Sequence, residues 1–406
     1  MTYRPSRETL DRYAAVLVDF ALGGGRGVQP GEVVRIAAPE SARTFYAALH
    51  RAVWRAGGHV LGGFVPDADD DVNLSREFFD VATPEQLDHF SSTYLRGVVD
   101  EMDHQITVLA ESNPHALDGV DPSLIMRRGE AMRPMLDWRG EKENAGRFSW
   151  TLALFGTEKM AAEAQMDLEE YWQQIIYACF LDEEDPIARW REVGDQLDRT
   201  LAWLNGLQIK RVHVEGQDVD LHVEIGERRR WLGGRGRNVP SFEVFTSPDW
   251  RGTNGWIYCN QPLYRYGNLV RGVRLEFKDG RVTSASAEEN ERVLKEMVAV
   301  PGADKLGEFS MTDRRLSRIT RFMGHTLYDE NVGGEFGNTH VAVGRAYQDA
   351  LDGDPSAMAA EEWEALGFNN SSVHTDVVST TDRTVTATLA DGSQRVIYRG
   401  GEFLLD

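Results

Sequence analysis

Apolar residues recur at helical spacing from the start of the chain. Leu10, Tyr13, Ala14, Leu17 and Phe20 lie on one stripe, which predicts a helix over 6–22 that the run Gly23-Gly24-Gly25 ends. Short apolar runs and helical patterns then alternate. Val33–Ala37, His59–Val65 and Ile106–Ala110 read as strands, and 40–56, with Ala42, Phe45, Leu49, Val53 and Trp54 at helical intervals, reads as a helix. Such alternation predicts parallel strands joined by crossover helices. Trp150–Leu154 is a further strand candidate, followed by long helical patterns over 157–180 and 186–207. Between these two patterns, Asp182-Glu183-Glu184-Asp185-Pro186 places acids and a proline where a helix start takes them.

From residue 209 the period changes to two. Ile209–Val214 and Val219–Ile225 flank a Glu-Gly-Gln-Asp turn and predict a hairpin. Val219, Leu221, Val223 and Ile225 share one face, and Asp220, His222 and Glu224 share the other. His213 and His222 resemble a metal pair, but polar alternation on a half-solvated hairpin accounts for them better. Gly255–Cys259, Gly272–Phe277 and Arg281–Ala285 continue the pattern, the last two joined by Lys278-Asp279-Gly280, a hairpin signal. The expectation is an α/β N-terminal domain with a parallel sheet over 1–205 and an α+β C-terminal domain over 206–406.

Composition narrows the function. The 406 residues carry a net charge of −21, and a surface so acidic repels phosphate backbones, which argues against a nucleic-acid partner. No apolar run reaches the roughly 18 residues that a membrane span needs. The N-terminus lacks the basic-then-apolar order of a signal peptide. Cys179 and Cys259 are the only cysteines, too few for a disulfide framework or thiolate zinc cluster. A reducing, cytoplasmic setting is expected.

The familiar short motifs are absent. There is no GxxxxGK[ST] loop, no GxSxG elbow and no His-Glu-x-x-His, and Gly23–Gly27 follows a helix rather than a strand, so it reads as a linker. The chemistry lies in the second half. His374-Thr375-Asp376 on a strand points an imidazole and a carboxylate to the same side. His340 sits between glycines ahead of an apolar run. Glu243, in Asn238-Val239-Pro240-Ser241-Phe242-Glu243-Val244-Phe245, and Glu308, in Leu306-Gly307-Glu308-Phe309, are carboxylates in apolar surroundings. Such placement is costly unless the group is paired or metal-bound, and an arginine partner is the alternative for each, as for Glu335. Carboxylates with a few histidines suit two divalent cations a few ångströms apart.

The order of these pieces resembles the M29 metallo-aminopeptidases, the thermophilic-type aminopeptidases, over nearly the whole chain. The resemblance rests on Ser112-Asn113-Pro114 with Gly119-Val120-Asp121-Pro122, Asp185-Pro186-x-x-x-Trp190, Asp218-Val219-Asp220-Leu221 and Asn238-Val239-Pro240 through Glu243-Val244-Phe245-Thr246-Ser247-Pro248. It continues through Leu306-Gly307-Glu308, Leu327-Tyr328-Asp329-Glu330-Asn331, Thr-His340-Val-Ala-Val-Gly, Ala346-Tyr347 and His374-x-Asp376. The resemblance implies that Glu243, Glu308, His340, His374 and Asp376 bind two divalent ions (zinc, cobalt or manganese). It also places Tyr347, seven residues beyond His340, at the site, where its hydroxyl could stabilise an oxyanion. The family carries a Glu shortly before the ligand histidine. Glu330 fits by its Asp-Glu-Asn context and is preferred, while Glu335 is closer in spacing.

The implied activity is release of N-terminal amino acids from short peptides by a two-metal-activated water, with a carboxylate moving the proton, in a homodimer that encloses the site. Two departures, Ser241-Phe242 before Glu243 and the polar Val-Val-Ser-Thr-Thr after Asp376, bear on the substrate pocket. The alternatives are a one-iron ring-cleaving dioxygenase on the related scaffold, which needs only about three protein ligands, and a non-catalytic binding protein, in which ligand positions would be broken.

Overall fold

A computed structural model describes residues 3–69, 71–234, 236–266 and 268–405. In it the alternating first half builds a sheet of parallel strands in the order His59–Val65, Val33–Pro39, His104–Leu109, Ser149–Leu154, Asn238–Val239. Val34, Ile36 and Ile106 are buried because helices cover the sheet, as parallel sheets require. The last strand comes from far along the chain and pairs Leu152 with Asn238 and Ala153 with Val239.

Two expected helices are interrupted. The first runs as an α-helix over Arg7–Ala15, then loosens into a wider π-turn at Val16–Ala21 before the glycines. The pattern over 157–180 splits into Glu158–Glu163 and Leu168–Ala178. Gln165 takes a left-handed φ of 55° at the break, and Asp167 and Glu170 form a capping box that starts the second helix. Helix Pro186–Gly206 begins at the proline, with the Asp185 side chain accepting from the Ala188 N–H.

Among the described residues, the second half holds two antiparallel sheets besides a small hairpin. An eight-stranded sheet contains the hairpin Ile209–Gly216 and Val219–Glu224 at its centre, with Asn254–Cys259, Val273–Lys278 and Arg281–Ser286 on one side. A five-stranded sheet has the order His374–Ser379, Asn338–Gly344, Leu306–Thr312, Glu243–Thr246, Leu232–Gly233. The chain therefore combines a parallel α/β region with an antiparallel α+β region. One apolar core runs through both.

Aromatic packing links the two regions. Trp190, on helix Pro186–Gly206, stacks on Phe242 at 5.3 Å, and Phe180 meets Trp190 edge-on at 4.9 Å. Phe242 is fully buried in this contact. The Ser241-Phe242 departure therefore sends its phenyl ring into the core, and that anchor fixes the start of the strand Glu243–Thr246.

Candidate metal centre

Strand alternation and register gather the candidate residues on one face of the five-stranded sheet. Thr312 pairs with Glu243, Ser310 with His340, and Ala342 with Asp376. His374 and Asp376 point the same way two residues apart. Glu308 joins this face in regular register, opposite Ala342, and the ladder between Leu306–Thr312 and Asn338–Gly344 slips only before it, between Leu306 and Glu308. Gly307 permits the slip, since a Cβ there would run into the Arg345 carbonyl oxygen.

The resulting distances are short and regular. His340 Nε2 lies 3.4 Å from Glu243 Oε2 and 3.4 Å from Glu308 Oε1. His374 Nε2 lies 3.4 Å from Glu308 Oε2 and 3.5 Å from Asp376 Oδ1. Two donor groups thus form, Glu243–Glu308–His340 and Glu308–His374–Asp376, and Glu308 gives one oxygen to each.

Burial makes these groups demanding. Glu243, Glu308 and His340 are 7 %, 3 % and 1 % exposed. His340 Nε2 is buried without a hydrogen-bond partner, although two carboxylate oxygens face it. Ligands about 2.0–2.2 Å from one ion at a tetrahedral angle stand about 3.4 Å apart, so the separations are those of donors converging on a cation. The other nitrogens are oriented from outside: His374 Nδ1 lies 2.7 Å from the Arg345 carbonyl oxygen and His340 Nδ1 3.4 Å from Asn338 Oδ1. The donor set fits a divalent metal.

The electrostatics agree. Burial works against the imidazolium of His340, but Glu243 and Glu308 outweigh it and push its pKa well up. Burial also opposes ionisation of Asp376, yet His374 draws its carboxyl down to about 2. Burial raises Glu243, and the neighbouring Glu308 charge adds to the rise. Positive charge is in demand, and without a metal ion only protons supply it.

Glu330 is 5 % exposed and accepts from Asn238 Nδ2 at 2.8 Å. Burial, then the charges of Asp376 and Glu243, raise its carboxyl well above the ordinary value. Glu335 is exposed, and its backbone carbonyl accepts from Arg314. Tyr347 packs edge-on against His374 at 4.8 Å, and its N–H donates to Ser247 Oγ.

Four neighbours of these groups were not among the predicted site residues, although Ser241-Phe242 was expected to bear on the substrate pocket. Ser241 Oγ donates to Glu243 Oε1 at 3.2 Å, and Asn331 Oδ1 accepts from the Phe242 N–H. Arg237 lies over the Tyr347 ring at 5.2 Å and pairs with Asp349 at 2.6 Å and Glu143 at 2.8 Å. Arg265 donates from Nη2 to the His374 carbonyl, with its Nε buried and unpartnered. Ser241 and Asn331 lie within the motifs that carry the family resemblance. Arg237 and Arg265 reach the site only through tertiary contacts and had no local signal.

Comparisons with known proteins bear on this site. A family model described as thermophilic metalloprotease (M29) matches residues 6–403. The chain is 28 % identical to aminopeptidase PepS of Streptococcus thermophilus, the alignment covering 98 % of each. It is also 28 % identical to aminopeptidase T of Thermus thermophilus, over 96 % of this chain and 98 % of that protein. The solved structure of wild-type AmpT from Thermus thermophilus superposes with a TM-score of 0.80 at 25 % identity, covering 98 % of this chain and 99 % of that one.

Proposed function

The chain belongs to the M29 family of metallopeptidases, a metallo-aminopeptidase that takes peptides as substrates, and from that premise we propose a two-metal site built from Glu243, Glu308, His340, His374 and Asp376. The observation that carries the proposal is the shared position of Glu308, which sets one oxygen against each of two donor groups. Ions held there, of the zinc, cobalt or manganese class, would polarise the peptide carbonyl and lower the pKa of water.

The protein's own groups do the rest. Glu330, buried and held by Asn238, takes a proton from the attacking water and returns it to the leaving amine. The hydroxyl of Tyr347, whose ring packs against His374, donates to the oxygen that becomes negative. Arg237 holds the Tyr347 ring in place from above. The carboxylates of the site attract the free N-terminal ammonium of the substrate, which selects for removal of the first residue. The proposal keeps residues 206–406 as the catalytic domain and 1–205 as the N-terminal domain. It includes a homodimer admitting short peptides and a cytoplasmic location, in keeping with the free thiols of Cys179 and Cys259. Among the described residues no helix is long and apolar enough to cross a membrane.

Two donor groups and relatives named aminopeptidases favour this reading over a one-iron ring-cleaving dioxygenase. The test is hydrolysis of leucyl and other aminoacyl p-nitroanilides by chelator-treated protein with Co²⁺, Zn²⁺ or Mn²⁺ restored, beside Glu308→Gln. Metal-dependent release that the substitution abolishes is expected. Release by the substituted protein at the wild-type rate overturns the role given to Glu308.

A further inference from the structure

We propose that the central hairpin of the eight-stranded sheet carries a separate surface metal site, in which His213, His222 and Asp220 bind one divalent transition-metal ion of the zinc, nickel or copper class. The inference is independent of the catalytic reading above.

The inward positions Val212, Val214, Leu221 and Val223 are fully buried, so alternation places His213, Asp220 and His222 together on the opposite face. His213 stands directly across from His222 in the ladder, and the two rings stack at 3.9 Å with 16° between their planes. Asp220 Oδ1 is 2.8 Å from His213 Nε2. One ligand atom from each of the three residues lies within 4.8 Å of the others. Glu215 Oε2, 3.4 Å from His213 Nδ1, adds a second carboxylate.

Both strands are paired on each side, Ile209–Gly216 with Arg383–Leu389 and Val219–Glu224 with Asn254–Cys259, so the backbone positions are held. Only side-chain torsions need adjust to bring the donors onto one ion. Two imidazoles with a carboxylate select borderline transition metals over magnesium or calcium, which prefer all-oxygen shells. Glu215 and Asp220 draw a cation to this face, with Arg211 the opposing charge nearby. The site is open: the His213 and Asp220 side chains are 28 % and 63 % exposed. An ion there bridges neighbouring strands and competes with water and the His213–Asp220 hydrogen bond, so it is held less tightly than a buried one.

The experiment is calorimetric titration of Ni²⁺ into cobalt-loaded protein, wild type beside the double variant His213→Asn/His222→Asn. Wild type is expected to take up one more ion per chain than the double variant, and added Ni²⁺ to raise its Tm more. The two proteins are expected to hydrolyse aminoacyl p-nitroanilides at rates within about twofold of each other, since neither histidine reaches the catalytic groups. Equal Ni²⁺ stoichiometry in both proteins overturns the proposal. Should the double variant fail to fold, Asp220→Asn keeps both rings and is expected to weaken Ni²⁺ binding about tenfold. Unchanged Ni²⁺ affinity in that variant overturns the proposal equally.

Discussion

The second half of the chain presents imidazoles beside carboxylates in two places, and the same donor atoms carry different weight in each. On the five-stranded sheet Glu308 and His340 are 3 % and 1 % exposed, and a buried nitrogen is left without a hydrogen bond. On the eight-stranded sheet the His213 and Asp220 side chains are 28 % and 63 % exposed, and the pair satisfies itself with a 2.8 Å hydrogen bond. Removing a carboxylate from water without a counter-charge costs several kcal/mol, whereas an exposed one costs almost nothing. The buried cluster thus requires a cation to be stable as built, and the exposed one merely accepts one.

The largest test of that contrast is Glu308→Gln. It weakens both donor groups at once, so kcat/KM with leucyl p-nitroanilide is expected to fall at least about a thousandfold, the equivalent of about 4 kcal/mol of lost transition-state stabilisation. Metal content by mass spectrometry is expected to fall with it, and retained metal with retained activity would break the comparison. Tyr347→Phe comes next. If its hydroxyl acts on the oxyanion as proposed, kcat is expected to fall about 10²–10³-fold with KM nearly unchanged. A rise in KM at constant kcat would place Tyr347 in substrate binding instead.

Packing gives a third, in stability rather than rate. Phe242→Ala removes a ring packed against both Trp190 and Phe180 and is expected to cost about 3–5 kcal/mol in denaturant unfolding. A loss below about 1 kcal/mol would mean that the strand Glu243–Thr246 is held from elsewhere.

A fourth is a pH effect beside the site. Asp329 is 1 % exposed, and burial raises its carboxyl from the ordinary 3.8 to about 8, against the Met323 and His325 N–H groups that favour the anion. The folded chain therefore holds a proton that the unfolded chain has released. The stability this group contributes is complete below about pH 4 and is lost as pH rises toward about 8. Asp329→Asn is expected to flatten the fall of Tm over that window, and identical slopes in both proteins would show the carboxylate already ionised. The smallest effect is expected at the hairpin, where His213→Asn/His222→Asn leaves peptidase activity within about twofold. A large loss there would erase the distinction between the two clusters.

Much of the architecture was legible from periodicity. The alternating strands of the first half and the hairpin from residue 209 come directly from spacings of 3.6 and 2. The split of 157–180 was not, because a left-handed Gln165 leaves the apolar pattern intact while a capping box restarts the helix. Nor was the return of Asn238–Val239 to the parallel sheet, since two residues carry no pattern. Within the site, Glu330 and Glu335 competed on motif and spacing, and no local property separates them. Burial does: one accepts from Asn238 in the interior and the other stands in solvent.

What the sequence by itself determined is the inventory and the local order: which strands alternate, that His374 and Asp376 face one way, and which carboxylates stand in apolar runs. Those are properties of neighbouring residues, and backbone geometry reads them directly. Only the tertiary structure decided that Glu308 lies between two donor groups, that Phe242 turns into the core and that Arg237 reaches Tyr347. Each depends on strand register and side-chain packing across long sequence separations, which are set by what the whole core can pack against.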